Sequence, residues 1–152
     1  MRVLVQRSKK SSVSVDDKVI GSIDSGLVIL VGFTYGDTEL DIDYMVKKVL
    51  NLRIFDDDNG VMNKSVLDIG GSILSISQFT LYADTKNGNR PSYIKSLKAE
   101  EATKLYDLFN QKLKEYIRVE TGKFQADMLV KIENDGPVTI LLESDDKYVK
   151  ER

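Results

Sequence analysis

The segment Leu27-Val28-Ile29-Leu30-Val31-Gly32-Phe33 is a nearly continuous apolar run in the N-terminal third of the chain. It is too short for a helix of usual length and is rich in β-branched residues, so it predicts a buried strand. A turn at Asp24-Ser25-Gly26 precedes it. Further strands are predicted before that turn, because Val3 opens an apolar segment and Val13 and Val15 alternate with serines.

Two segments with helical periodicity follow this region. From about Thr38 to Asn51 apolar residues share one face, and Thr38 with Asp41 resembles a capping box. From about Ala99 to Tyr116 a second apolar stripe begins after acidic residues, where the helix dipole favours negative charge. Strands broken by two helices indicate an α+β fold with mainly antiparallel sheet. The remaining predicted strands lie near residues 52–55, 72–79, 118–121, 127–133 and 138–143.

The composition limits both the size of the fold and its chemistry. The chain has 152 residues, of which 41% are hydrophobic and 30% charged, and this balance fits a single globular domain with a polar tail from about residue 145. Because the formal net charge is −2, any contact with nucleic acid must come from a local basic patch. The chain has no histidine and no cysteine, which excludes Ser-His-Asp and Cys-His catalysis, disulfides and thiolate zinc sites.

A carboxylate site for magnesium or calcium remains open in principle. The acidic turn Asp56-Asp57-Asp58-Asn59-Gly60 superficially resembles a calcium loop. It lacks the full twelve-residue ligand pattern and the closing bidentate glutamate. We therefore interpret it as a solvated hairpin turn, and we expect neither a metal nor a cofactor.

The sequence contains no segment typical of membrane proteins. The N-terminal residues have no signal-peptide h-region, and no segment approaches the roughly 20 apolar residues that span a bilayer. We therefore expect a soluble cytoplasmic protein without a membrane partner.

The segment Ser77-Gln78-Phe79-Thr80-Leu81-Tyr82-Ala83-Asp84 is a candidate pocket wall. Strand periodicity puts Leu74, Ile76, Gln78 and Thr80 on one face, so apolar side chains give way to hydrogen-bonding ones at the end of the strand. That is how a strand leaves a core and lines a pocket. An ordinary strand end that reaches solvent explains the same pattern.

A second candidate is Asn134-Asp135-Gly136-Pro137, which separates the last two predicted strands. Proline locks its own φ and restricts the residue before it, and X-Pro bonds are the common sites of cis peptides. The pair is either a plain turn or a rigid backbone element whose carbonyls point in fixed directions. The pattern leaves both interpretations open.

Basic residues form two groups along the chain that can contact phosphates. Surface lysines are common, so the groups alone carry little weight. The first group is Lys86, Arg90, Lys95 and Lys98, and the second is Arg2, Arg7, Lys9 and Lys10.

Taken together, the two candidate segments resemble the signature pair of the D-aminoacyl-tRNA deacylase family. The pair consists of residues 77–84 and the segment Asn134-Asp135-Gly136-Pro137-Val138-Thr139, in that order. The resemblance covers essentially the whole chain. Supporting matches lie at residues 5–7, 50–55, 88–91, 121–124 and 126–128.

The resemblance implies a barrel-like sheet and an enzyme that hydrolyses the ester of D-aminoacyl-tRNA, so that mischarged tRNA is recycled and translation stays homochiral. Its site would form at a homodimer interface, where Gly136-Pro137, in the cis form, enters the partner's pocket and leaves no room for an L side chain. Achiral glycyl-tRNA would then be a side substrate. The residues implied are Ser77, Gln78, Phe79 and Thr80 around the terminal adenosine and its ester, Arg7 bracing Gly136-Pro137, and Met128 as a pocket wall.

The implied chemistry needs no imidazole. An aminoacyl ester is already activated, so the enzyme must hold it, stabilise the oxyanion and position water, with help from the ribose 2′-hydroxyl. The Thr80 hydroxyl could act as a nucleophile, but no base is available to activate it. We prefer an oxyanion hole of main-chain N–H groups around Phe79 and Thr80. One position departs from the family pattern: Gln125 stands where glycine is expected, and a side chain there would narrow the region beside the pocket.

Two rival interpretations remain. Relatives with a trans Gly-Pro pair remove L-alanine from mischarged tRNA, but their signatures differ from those at residues 77–80 and 134–137. The chain would otherwise be a non-catalytic module that binds tRNA ends or acts as a structural dimer, which the intact signatures argue against.

Overall fold

The computed structural model of the protein describes residues 1–148. Its larger sheet contains six strands, and a two-stranded hairpin lies apart from it. The strands are β1 (Arg2–Val15), β2 (Lys18–Ile23), β3 (Gly26–Gly32), β4 (Phe55–Asp56), β5 (Met62–Lys64), β6 (Ser72–Ser77), β7 (Val119–Thr121) and β8 (Leu129–Glu143). The helices are α1 (Glu39–Asn51) and α2 (Ala99–Lys114), with two short 3₁₀ helices at Phe79–Tyr82 and Ser144–Tyr148.

The larger sheet is organised around the long strand β1. It pairs antiparallel with β8 along one edge, and with β3 and then β2 along the other. The order continues from β3 to β6 and from β6 to β7, and both of these pairs are parallel. The sheet curls until β2 approaches β7, where a Cβ added to Gly21 would lie 2.9 Å from the Thr121 carbonyl oxygen. The predicted α+β fold, a mainly antiparallel barrel-like sheet with two principal helices, is confirmed; the two parallel pairs were not predicted.

Two apolar layers explain why β3 is a continuous apolar run. Leu27, Ile29 and Val31 are buried in the core that the sheet shares with α1 and α2. Val28 belongs instead to a second core inside the curl of the sheet. Because both of its faces are covered, β3 has no solvent face and does not alternate. The second core consists of Val13, Ile23, Val28, Leu74 and Ile76.

Helix α1 begins as the sequence predicts. The Thr38 hydroxyl accepts a hydrogen bond from the Leu40 N–H at 3.3 Å, and the Asp41 carboxylate accepts one from the Thr38 N–H at 2.8 Å. The predicted capping box is therefore confirmed, with aspartate in place of glutamate. Helix α2 begins at the predicted Ala99 and ends at Lys114, two residues before the predicted end.

The predicted strand over residues 72–79 is too long. Strand β6 ends at Ser77, and Phe79–Tyr82 form a 3₁₀ helix. Gln78 and Thr80 therefore do not continue the face of Leu74 and Ile76, and that prediction is wrong. The physical reason is that the Gln78 N–H still bonds Val31 of β3, but the chain then turns and the Leu81 N–H bonds back to the Gln78 carbonyl at 3.3 Å.

The acidic turn at residues 56–60 is a hairpin turn, as predicted. It joins β4 to β5, and the Asp57 carboxylate accepts hydrogen bonds from the N–H groups of Asn59 and Val61. The predicted strand at residues 52–55 is confirmed only at its last residue, because β4 begins at Phe55.

The last two predicted strands are one strand. β8 runs from Leu129 to Glu143, and both of its halves pair with β1. Asn134 lies opposite Ser8 and Thr139 lies opposite Gln6, so residues 135–138 bulge out opposite a single residue of β1. The interpretation of residues 134–137 as a plain turn between two strands is therefore wrong.

The end of the described chain is not simply a polar tail. Ser144 is buried and its main-chain N–H bonds the Met1 carbonyl at 2.9 Å. Lys147 donates a hydrogen bond to Asp41 at 2.6 Å. The rest of the predicted tail, residues 149–152, lies outside the described residues. No helix within residues 1–148 is long and apolar enough to cross a membrane.

Candidate functional site

A cavity of about 580 Å³ opens where β3 and β6 end. Its walls come from those strand ends, from the start of α2, and from the segment that leads into β8. The predicted site residues Ser77, Gln78, Phe79 and Met128 line it. Other lining residues include Gly32, Phe33, Tyr93, Ser96, Gln125 and Asp127.

The main chain at Phe79 and Thr80 presents unused donors beside this cavity. The first N–H groups of any helix lack partners inside the helix. Among the described residues, no acceptor bonds the N–H groups of Phe79 and Thr80. The flanking groups are fixed, because the Gln78 N–H bonds the Val31 carbonyl at 2.7 Å and the Ser96 hydroxyl donates to the Phe79 carbonyl at 2.9 Å. The two donors are therefore held in place without being consumed.

The side chains of Gln78 and Thr80 bond each other. The Gln78 amide nitrogen donates to the Thr80 hydroxyl oxygen. Thr80 is half-buried and contributes no surface to the cavity wall. Within residues 1–148, no basic group contacts its hydroxyl.

Two aromatic side chains stand at the rim of the cavity. The Phe79 side chain is 56% exposed, although phenylalanine is among the residues most often buried. Its ring packs edge-on against Tyr93, with the ring centroids 5.1 Å apart. This pair gives the rim an apolar surface beside the polar main chain of residues 77–80.

The opposite wall contains the residue that departs from the family pattern. Gln125 has a φ of +66°, in the left-handed region that glycine adopts most easily, and its exposed side chain lines the cavity. The ring of the preceding residue, Phe124, packs against the ring of Tyr106, with the ring centroids 5.9 Å apart. Burial raises the pKa of the Tyr106 hydroxyl, which stays neutral and donates to the Ser75 carbonyl at 2.8 Å. The wall is thus anchored to β6 through a buried tyrosine.

Gly136 and Pro137 lie away from this cavity. Both are exposed at the bulge of β8, and the peptide bond between them is cis. Neither of them lines the cavity of its own chain, and nor does Arg7. The structure therefore divides the predicted residues into two separate groups, one at the cavity and one at the bulge.

Arg7 and Asn134 fasten the bulge to the rest of the fold. The Arg7 guanidinium donates to the carbonyls of Asp135 at 3.2 Å and Ile54 at 2.9 Å. The Asn134 amide donates to the carbonyls of Arg7 and Val138 at 3.0 and 3.1 Å, which closes the base of the bulge. The main chain of the bulge is therefore held from beneath by side chains.

Both groups of basic residues contain engaged and unpaired cations. In the second group, Arg2 bonds Glu143 at 2.8 Å and the Leu81 carbonyl at 2.8 Å, and Arg7 is engaged at the bulge. In the first group, Lys95 pairs with Asp84 at 3.2 Å. The remaining members are exposed and form no ion pair within the described residues: Lys9 and Lys10 in the second group, and Lys86, Arg90 and Lys98 in the first. In residues 1–148, no cluster of three acidic side chains is arranged to hold a metal ion.

Sequence reasoning missed most of the cavity lining, including Gly32, Tyr93 and Ser96. Gly32 packs so closely that an added Cβ would lie 2.8 Å from the Gln78 carbonyl oxygen. Tyr93 and Ser96 come from the segment after the loop at residues 84–91. Only the basic group of Lys86, Arg90, Lys95 and Lys98 had drawn attention to this segment, and no periodicity marked Tyr93 or Ser96.

Comparison with known proteins identifies one family. The sequence model described as "D-Tyr-tRNA(Tyr) deacylase" matches residues 4–143. A Clostridium tetani protein named "D-aminoacyl-tRNA deacylase" is 58% identical over 145 residues, which cover 95% of this chain and 97% of that protein. A Bacillus cytotoxicus protein of the same name is 53% identical and covers 95% of this chain and 99% of its own length.

Solved structures share the fold. One described as "c-Myc DNA Unwinding Element Binding Protein" superposes with a TM-score of 0.89 at 41% identity, over 94% of this chain and 98% of that one. Another, described as a probable eukaryotic D-amino acid tRNA deacylase, has a TM-score of 0.80 at 18% identity, over 93% of this chain and 97% of that one. The second likeness concerns the fold alone.

Proposed function

The chain belongs to the D-Tyr-tRNA(Tyr) deacylase family and is a hydrolase of aminoacyl-tRNA esters, and we propose that the cavity beside Phe79 and Thr80 is where it cleaves the ester of a D-amino acid. One observation carries the assignment of the site. The N–H groups of Phe79, which lines the cavity, and of its neighbour Thr80 have no acceptor among the described residues. Such donors stabilise the charge that develops on a carbonyl oxygen during attack.

The reaction then needs few side chains. Water attacks the ester carbonyl carbon, and the resulting oxyanion accepts hydrogen bonds from the two N–H groups. When the intermediate collapses, the bond to the ribose 3′-oxygen breaks and a proton passes to that oxygen, which releases tRNA and the free D-amino acid. The ribose 2′-hydroxyl of the substrate supports the attacking water, because the chain has no histidine to act as a base.

Thr80 has a supporting role in this proposal. Its hydroxyl oxygen accepts the Gln78 amide hydrogen, and no basic group among the described residues is placed to remove its proton. A threonine nucleophile requires such a base. The Gln78–Thr80 pair instead stabilises the turn that presents the two N–H groups.

The proposed active unit is a homodimer in which Gly136-Pro137 of one copy reaches the cavity of the other. Three features support this arrangement. The pair is exposed, and it lies away from the cavity of its own chain. Among the described residues β8 pairs only with β1, and it exposes Leu129 and Leu141 on a long edge strand of the kind that joins subunits. A main chain held close to the substrate α-carbon would exclude an L side chain and admit a D side chain or glycine.

A substrate panel tests the function. Purified protein is incubated with D-tyrosyl-, L-tyrosyl-, L-alanyl- and glycyl-tRNA, and release of the amino acid is followed. Rapid release of D-tyrosine with slower release of glycine supports the proposal. We propose a cytoplasmic location for this activity, because aminoacyl-tRNA is used there. Release of L-alanine favours the L-alanine rival. Binding without release favours a nucleic-acid-binding module, as the name of one relative says of that relative.

Mixed dimers test the shared site. One partner carries Gly136→Ala at the bulge, and the other carries Gly32→Ala, which disturbs the cavity. If the site is shared, a random mixture of the two impaired variants regains about a quarter of the wild-type sites, because half of the dimers are mixed and each has one intact site. A mixture no more active than the average of its components would mean that each chain builds its own site.

A further inference from the structure

We propose that the segment from Asp84 to Lys98, here called the basic arm, binds the phosphates of the RNA strand that leads away from the reacting 3′ end. The inference rests on the proposed function and adds to it a site for the body of the substrate. It explains how a chain with a net charge of −2 holds a polyanion.

The basic arm carries a local positive charge. Its 15 residues contain four basic residues and one acidic residue, which gives a formal charge of +3 against −2 for the whole chain. The single acid, Asp84, is engaged within the arm, where it accepts the Lys86 N–H at 3.0 Å and pairs with Lys95 at 3.2 Å. The exposed side chains of Lys86 and Arg90 remain without an ion pair among the described residues. The basic residues are Lys86, Arg90, Lys95 and Lys98.

Basic residues elsewhere in the fold are only partly neutralised. Arg2 and Lys112 pair with carboxylates, whereas Lys9 and Lys10 are exposed without an ion pair among the described residues. The arm differs from them in its place, because Tyr93 and Ser96 of the arm line the cavity. A positive surplus beside the site that takes the 3′ end is the electrostatic footprint of a nucleic-acid site.

The loop of the arm is closed by main-chain hydrogen bonds. Asp84 and Ser92 exchange two of them, each 2.8 Å long, so residues 85–91 project as one exposed loop. Asn87, Gly88 and Asn89 separate the two free basic side chains with small polar groups that leave a phosphate backbone room to approach. A closed loop loses little conformational entropy when it binds.

The arm is also fixed to the rim of the cavity. Tyr93 and Ser96 line the cavity, and Ser96 donates to the Phe79 carbonyl. The Thr34 hydroxyl, just beyond β3, donates to the Lys95 carbonyl at 2.6 Å. RNA whose 3′ end enters the cavity must pass this rim, so the charges of the arm lie beside its backbone. Such contacts position the RNA without reading its sequence.

Two substrates of different length distinguish the contribution of the arm from that of the cavity. D-tyrosyl-tRNA offers the backbone and the ester, whereas D-tyrosyl-adenosine offers the ester alone. Lys86→Glu with Arg90→Glu is compared with Lys104→Glu and Lys114→Glu, a matched pair of exposed lysines on α2. Lys86→Gln with Arg90→Gln removes the charge without reversing it, in case the reversal disturbs the loop.

We expect the arm reversal to raise KM for D-tyrosyl-tRNA by about 10- to 100-fold at low salt and to leave D-tyrosyl-adenosine cleavage within about twofold. The slope of log kcat/KM against log salt should become shallower by about 1.4 to 1.8 for two lost phosphate contacts. The neutral arm variant should shift KM less, and the α2 pair should shift it little.

Equal effects of the arm and α2 variants, or an unchanged salt slope in the arm variants, would overturn the inference. So would an equal loss on both substrates in the arm variants. Failure of the underlying function would look different, because the wild-type protein itself would then leave D-tyrosyl-adenosine intact.

Discussion

The two segments of the proposed site both interrupt a strand, yet the fold holds them in different ways. At residues 77–80 the turn out of β6 is held by a main-chain bond, from the Gln78 N–H to the Val31 carbonyl, and by the Ser96 hydroxyl, which donates to the Phe79 carbonyl. At residues 135–138 the bulge of β8 is held by the side chains of Arg7 and Asn134. At the cavity a backbone displacement should therefore cost more than the loss of a side chain, whereas the bulge depends on the residues beneath it.

Gly136→Ala should have the largest effect. Gly136 has a φ of +119°, and a Cβ there would lie 2.9 Å from a Val138 methyl and 3.0 Å from the Arg7 guanidinium. The bulge must shift, and a displacement of about 1 Å at a site can cost roughly 100-fold in rate. We expect a loss of about that size in kcat/KM on D-tyrosyl-tRNA, measured per folded protein.

Gly60→Ala is the matched control for this change. Gly60 also has a positive φ, of +73°, but a Cβ there would meet nothing within 4 Å. It carries the same kind of backbone strain, about 1–2 kcal/mol, in a hairpin turn outside the site. Comparable losses of activity in the two variants would show that strain, and not the position of the bulge, governs the rate.

Gly32→Ala should have the next largest effect, on the cavity side. Its Cβ would lie 2.8 Å from the Gln78 carbonyl oxygen and 3.2 Å from the Leu81 Cβ, so the 3₁₀ helix must move. Misplacing the N–H donors should lower kcat by about 10- to 100-fold, since a single oxyanion-hole donor is commonly worth 100-fold or more. Steady-state kinetics with a thermal melt as a folding check measure this. Unchanged kcat in the folded variant would remove these donors from the mechanism.

Thr80→Ala should have a smaller effect than Gly32→Ala. It removes the hydroxyl that accepts from Gln78 but leaves the Thr80 N–H in place. A neutral hydrogen bond contributes about 1 kcal/mol, so the loss in kcat should stay within about tenfold. Near-complete loss in a folded dimer would assign the nucleophile to the hydroxyl and reverse the contrast between main chain and side chain.

Sequence patterns predicted the elements that a short run of residues marks by itself. The apolar run of β3, the capping box of Thr38 and Asp41, and the stripe of α2 are each visible within one segment of the chain. The 3₁₀ helix at Phe79–Tyr82 was missed, because its start depends on a hydrogen bond to β3, more than forty residues earlier.

The bulge and the cavity show the same limit more strongly. The two halves of β8 looked like two strands, because nothing in residues 129–143 reveals that both pair with β1. Family resemblance supplied Ser77–Thr80 and Gly136-Pro137, but not Tyr93 or Ser96, which reach the cavity through the tertiary fold. Free N–H groups have no sequence signature at all.

Asp41→Asn should have the smallest effect on activity. It tests whether the stability of the fold can be lowered without affecting the two segments of the proposed site. Asp41 is buried and accepts hydrogen bonds from Ser144 at 2.7 Å, from Lys147 at 2.6 Å and from the Thr38 N–H. Burial alone would raise its pKa, but these bonds outweigh burial and lower the pKa from 3.8 to about 2. The charged form is therefore the one that the fold stabilises.

The sign of the pH dependence follows from that direction. A depressed carboxyl pKa stabilises the fold above the unfolded value, and this stability is lost as the pH falls from about 4 towards 2. Urea unfolding should show Asp41→Asn less stable than wild type by about 1–3 kcal/mol at pH 7, with the gap shrinking towards pH 2. Its kcat on D-tyrosyl-tRNA at pH 7 should match wild type, because Asp41 contacts neither the cavity nor the bulge. A fall in kcat without loss of folded protein would mean that the end of the chain is coupled to the site and that the two segments are not independent of it.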